Sequence, residues 1–129
     1  MWVYTTHGFY SVVSMPDDPE VVLVRGRDRQ SLVNLVELLA ESHPAGTYVV
    51  ENILVTPYRD YPYRIVILRD DWVHYLERYA YDKLRYPNFK NACHDAGFDP
   101  QQLNALSDVW GVMYSDWADR PGREERSWA

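Results

Sequence analysis

Three arginines stand near a run of tyrosines in a pattern suited to holding an anion. Arg25 and Arg27 lie two residues apart in Val24-Arg25-Gly26-Arg27, and that spacing puts both on one face of a strand. Arg64 closes the segment Tyr58-Arg59-Asp60-Tyr61-Pro62-Tyr63-Arg64. A guanidinium fork takes a carboxylate or phosphate through two parallel hydrogen bonds, and phenol groups add stacking surface and a hydroxyl. If the hairpins bearing these segments lie side by side, Arg25, Arg27, Arg64, Tyr61 and Tyr63 form a ligand-binding patch. The competing account makes them solvated strand-end charges neutralised by Asp28 and Asp60.

Other groupings have weaker chemical logic. Thr5, Thr6, His7 and Ser11 place hydroxyls beside an imidazole, as a hydrolase would need, but no orienting carboxylate or oxyanion hole can be identified for them. Cys93-His94-Asp95 has the residue types of a triad, yet neighbours on a helix point in different directions and cannot serve one another. His74 and His94 are too few to complete a zinc site. The pairs Asp17-Asp18 and Asp70-Asp71 fit a turn and a helix start, where negative charge has structural reasons to sit. No catalytic residue, metal site or cofactor is therefore expected.

The whole chain sets limits on partners. It has 129 residues, 47% hydrophobic and 25% charged, a balance that folds rather than stays disordered. A net charge of −6 works against a general grip on phosphate backbones, so nucleic acid is not an expected partner. The single Cys93 excludes an internal disulfide and suits a reducing compartment. The N-terminal residues lack the basic start and apolar run of a secretory signal, and no apolar stretch approaches the roughly 20 residues of a membrane span. A cytoplasmic location follows as the expectation. Aromatic residues reach 15%, so some Tyr and Trp rings are expected at a surface or interface.

Periodicity supplies the elements that would position these groups. Residues 9–15 and 21–25 read as strands joined by the Pro16-Asp17-Asp18-Pro19 turn. Asp28 is a candidate N-cap for a helix over residues 29–41, with Leu32, Leu35, Val36 and Leu39 on one face. A third strand is expected within residues 47–55, with Glu51-Asn52 as a possible interruption, and a fourth over residues 63–68. Asp70 is expected to cap a helix carrying Trp72, Tyr75, Leu76 and Tyr79. A short helical turn follows over residues 88–96. Asp99-Pro100-Gln101-Gln102 has the capping-box pattern ahead of a last helix bearing Leu103, Leu106, Val109, Trp110 and Met113.

The expected architecture is a two-layer α+β domain over residues 1–119. Its four-stranded, mainly antiparallel sheet runs in the order β-β-α-β-β-α-α-α, with helices on one face, ferredoxin-like in character. Residues 120–129 are expected to be a flexible tail.

The segments W-V-Y-T-T-H-G-F-Y-S-V-V (residues 2–13), V-R-G-R (24–27), D-Y-P-Y-R (60–64) and N-F-K (88–90) resemble a widespread group of short bacterial proteins with no established activity. The likeness extends to about Tyr114 and implies no chemistry. Binding is expected rather than catalysis. The first expectation is a protein partner or a homodimer met through an aromatic and Arg surface. The alternative is a small anionic ligand, such as a nucleotide or phosphorylated metabolite, on Arg25, Arg27 and Arg64. A hydrolase built on His7 is the least favoured.

Overall fold

The computed structural model describes residues 1–117 and 119, and the expected tail from Arg120 lies outside them. The chain divides into two compact units, Met1–Phe89 and a second that begins at Lys90.

The first unit is built on an open antiparallel sheet of five strands, β1 (Trp2–Thr5), β2 (Gly8–Met15), β3 (Asp18–Gly26), β4 (Leu54–Val55) and β5 (Tyr63–Leu68), in the order β1-β2-β3-β5-β4. Helix α1 (Arg29–Ala40) lies between β3 and β4, and α2 (Arg69–Arg78) follows β5 and runs into a wider turn over Tyr79–Lys83. Alternation sorts the strand residues by face. Tyr10, Val12, Val22, Val24, Ile65 and Ile67 form the core with Leu32, Val33, Leu35, Val36 and Leu39 of α1 and Trp72 and Tyr75 of α2. Burying each large apolar side chain contributes about 1.5–3 kcal/mol, so this inner face is the main source of cohesion. The partners of these residues along the strands, among them Val13, Val66 and Leu68, are exposed on the other face.

Four strands were expected and five are found. The additional one, β1, pairs with β2 in the register Trp2↔Ser11 to Thr5↔Gly8. Its turn, Thr6-His7, carries none of the Asn-Gly or Asp-Gly chemistry by which two-residue hairpins are recognised. Side-chain hydrogen bonds do that work: Tyr79 Oη accepts from Thr6 N at 2.9 Å, and Asn34 donates to the His7 carbonyl at 2.8 Å. The strand expected over residues 47–55 shrinks to Leu54–Val55. Before it, Val50–Asn52 makes a tight helical turn closed by the Asn52 side chain on the Val49 N–H, an interruption where Glu51-Asn52 suggested one.

Asp28 caps α1 as expected, accepting from Ser31 N at 2.9 Å. Asp70 does not cap α2, which starts one residue earlier. Leu68 occupies the cap position, and Asp70 and Asp71 lie in the first turn, where the helix dipole favours them.

In the second unit, α3 (Phe89–Asp95) ends at Gly97, whose φ of 98° suits a helix stop. Helix α4 (Pro100–Val112) opens on the complete capping box: Gln102 N donates to Asp99 Oδ1 and Asp99 N to Gln102 Oε1, each at 2.8 Å. A wider turn over Met113–Trp117 extends it. Val109, Trp110, Val112, Met113, Tyr114 and Trp117 are all exposed, with Trp110 and Tyr114 stacked on each other. Among the described residues no helix is long and apolar enough to cross a membrane.

Gly8 has a φ of 153°, and a Cβ there would stand 2.0 Å from Ser31 Oγ and 2.9 Å from Ser31 Cα. Gly46, at φ 88°, has open space where its Cβ would go. Gly8→Ala is expected to destabilise the chain by about 3 kcal/mol or more and Gly46→Ala by only about 1–2 kcal/mol, as read by urea denaturation. Equal losses would mean that the clash with α1 has no consequence.

Candidate functional site

The outer sheet face carries the arginine cluster. Register places Ser11, Arg25 and Arg64 in one row across β2, β3 and β5, because Ser11 faces Arg25 and Arg25 faces Arg64. Arg25 Nη2 donates to Ser11 Oγ at 2.7 Å, which holds the guanidinium down against the sheet. Tyr61, 4% exposed, comes in from the loop before β5. The Arg25 and Arg27 guanidinium carbons lie 4.7 and 4.8 Å from the centre of its ring, within the range of cation–π attraction. Arg64 Nε donates to the Tyr61 carbonyl at 3.3 Å. One aromatic residue thus gathers all three arginines. Phe9 and Tyr4 continue the aromatic surface, with Tyr4 and Phe9 centroids 4.4 Å apart and Phe9 and Tyr61 6.4 Å apart.

The expected neutralising acids are engaged elsewhere. Asp28 accepts from both the backbone N–H and the hydroxyl of Ser31, and Asp60 accepts from Tyr61 N. Among the described residues, none of the three guanidiniums belongs to an ion pair, and Arg25 Nε is buried with no hydrogen-bond partner. A buried donor left unmade costs about 1–3 kcal/mol.

Tyr63 falls outside this cluster. It is the alternate residue to Arg64, pairs with Gly26 and Val55, and packs against the core on the inner face. Tyr58 is fully exposed.

The hydroxyls grouped with His7 in the sequence are divided by the sheet. Ser11 belongs to the arginine row on the outer face. Thr5 and Thr6 stay with His7 and meet α2: Thr5 Oγ1 and Tyr75 Oη are 2.9 Å apart, and so are His7 Nδ1 and Tyr75 Oη. His7 lines a cleft of about 240 Å³ with Leu38, Leu39, Tyr75, Tyr79 and Lys83. At the cleft's far side His43 contacts the Leu39 carbonyl through Nδ1 at 2.7 Å and Asp71 through Nε2 at 3.1 Å, and Tyr48 Oη donates to the other Asp71 oxygen. Burial, aided by the Asp71 bond, pushes the Tyr48 phenol up to about 12. Sequence reasoning missed this cluster because its members are 23 and 28 residues apart, with no local pattern to join them.

Cys93 is buried, and burial pushes its thiol up to about 11, so it is held as an unreactive thiol. The His94 ring lies 3.5 Å from the exposed Asp95. Among the described residues no three His, Cys, Asp or Glu side chains come together as a metal site.

Two of the cleft histidines, His7 and His43, titrate in opposite senses. Burial, with Lys83 nearby, lowers the His7 pKa from 6.5. The Leu39 carbonyl, with Asp71 behind it, raises that of His43 from 6.5. An unfolded His7 binds a proton that the folded ring refuses, so its contribution destabilises the chain as pH falls below 6.5. The His43 contribution is complete below 6.5 and is lost as pH rises through its raised value. Urea midpoints measured across this range should show His7→Phe flattening the acid limb and His43→Gln the alkaline limb. Limbs unchanged by either substitution would contradict the assignment.

No family model matches the sequence, and no curated protein and no solved structure matches it significantly.

Proposed function

We propose that the chain is a binding protein whose outer sheet face receives a protein partner, with Arg25, Arg27 and Arg64 taking an acidic group of that partner. The observation that carries this reading is the gathering of three guanidiniums around the buried Tyr61 ring, free of ion pairs among the described residues. The cluster is not isolated. The next rungs of the same face are Val13-Leu23-Val66 and Val21-Leu68, with Val13, Val66 and Leu68 exposed. Charged anchors beside an open apolar surface match protein interfaces, whose centres are enriched in Tyr, Trp and Arg.

A second copy of this chain qualifies as the partner, since its 19 acidic residues offer carboxylates to the arginine row. The net charge of −6 also makes an acidic nucleic acid a poor fit overall. A small anionic ligand, such as a phosphorylated metabolite, is the second reading. It is favoured by the convergence of three guanidiniums on Tyr61, since arginine forks suit a compact oxyanion. The single Cys93 keeps a reducing, cytoplasmic setting as the consistent one.

Light scattering across a concentration series and thermal melting with inorganic phosphate, citrate and nucleotides separate the two. Self-association abolished by Leu23→Asp and weakened about tenfold or more by Arg64→Ala supports the protein partner. Stabilisation by an anion, lost in Arg64→Ala but kept in Leu23→Asp, supports the small ligand. A chain that stays monomeric and is stabilised by none of these anions would sink both readings.

A further inference from the structure

The cleft on the helix side of the sheet is unrelated to the arginine row, and its floor is unusually well determined. His7 is held at three points. Its backbone N–H donates to Thr5 Oγ1 at 3.1 Å, its carbonyl accepts from Asn34, and Nδ1 lies 2.9 Å from Tyr75 Oη. The ring also packs edge-on to Tyr79, with centroids 5.4 Å apart. Such complete positioning of one imbalanced polar ring, at a turn that also requires Gly8, is the arrangement by which a binding group is pre-organised.

The hydrogen bonds around the ring favour one of its two neutral tautomers. Thr5 is buried, and its hydroxyl already accepts from His7 N. Among the described residues, the only acceptor within reach of its own hydrogen is Tyr75 Oη, and a buried hydroxyl does not leave its proton undonated. Tyr75 Oη, accepting from Thr5, has its own hydrogen to give to His7 Nδ1, 2.9 Å away. When Nδ1 takes that hydrogen, the neutral ring bears its proton on Nε2. In this tautomer His7 offers a hydrogen-bond donor.

The cleft wall carries charge of both signs, with Glu41, Asp71 and Asp82 on it as well as Arg78 and Lys83. Arg78 is paired with Asp82 at 3.7 Å, and Asp71 is occupied by His43 and Tyr48. Lys83 belongs to no ion pair among the described residues and lies near enough to His7 to act on its titration. Leu38 and Leu39 supply an apolar side to the same space.

We infer that this cleft is a second binding site, for a small carboxylic acid with an apolar body, whose carboxylate takes the His7 Nε2–H and the Lys83 ammonium while its body lies on Leu38 and Leu39. The site stands independently of the outer face, and Arg64→Ala leaves it intact.

Nitrogen-15 spectra of the imidazole rings, recorded during titration with benzoate and with benzylamine, test it. The expected result is an Nε2–H tautomer for His7, a shift of its Nε2 on adding benzoate, weakening of about tenfold or more in Lys83→Met, and no response to benzylamine. Lys83 is exposed on the surface, so its replacement leaves the fold in place. A proton on Nδ1, no shift with benzoate, affinity unchanged in Lys83→Met, or benzylamine binding as well as benzoate would each overturn the proposal.

Discussion

The alternation of side chains along β2, β3 and β5 is the constraint from which both candidate sites follow. One set of alternate residues, Tyr10 and Val12, Val22 and Val24, Ile65 and Ile67, must leave water, and α1 and α2 supply the apolar cover. The other set is then committed to the opposite face whatever its chemistry. A shift of one residue in the β3–β5 register would bury Arg25 and Arg64 and expose the core, so the cost of the apolar face holds the arginines in place. Their chemistry contributes little to that positioning.

Tyrosine performs two different tasks in this arrangement. On the outer face the Tyr61 ring is a platform, and its electron-rich surface offsets some of the repulsion among guanidiniums that no carboxylate among the described residues pairs with. On the inner face the hydroxyls of Tyr75 in α2 and of Tyr79 in the wider turn after it reach to the β1–β2 turn and satisfy polar groups that burial would otherwise strand. These bonds connect residues about 70 positions apart, so the turn that holds His7 is shaped by the packing of a helix far along the chain.

The exposed apolar surface of α4 stands apart from this logic. Its capping box secures the start of the helix, yet Val109, Trp110, Met113, Tyr114 and Trp117 remain exposed after the described residues have folded. The stripe of Leu103, Leu106 and Trp110 read as a core face, but Leu103 and Leu106 are only half-buried. A helical period shows which side of a helix is apolar and does not show whether anything covers it.

Local chemistry was legible in the residues themselves. The Asp28 cap, the Asp99-Pro100-Gln102 box, the β2–β3 hairpin, α1 and β5 all depend on contacts within a few positions or on simple alternation, and each could be read directly. The pairing of Arg25 with Arg27 on one face was legible for the same reason. Tertiary structure alone decided that β1 is a strand, that Tyr63 turns inward while Tyr61 swings across to the arginines, that Ser11 parts company with His7, and that His43, Tyr48 and Asp71 meet. In each case the deciding energy is a contact between distant segments, either burial against the helices or a hydrogen bond across the sheet. Nothing in the neighbouring residues encodes which distant partner will arrive.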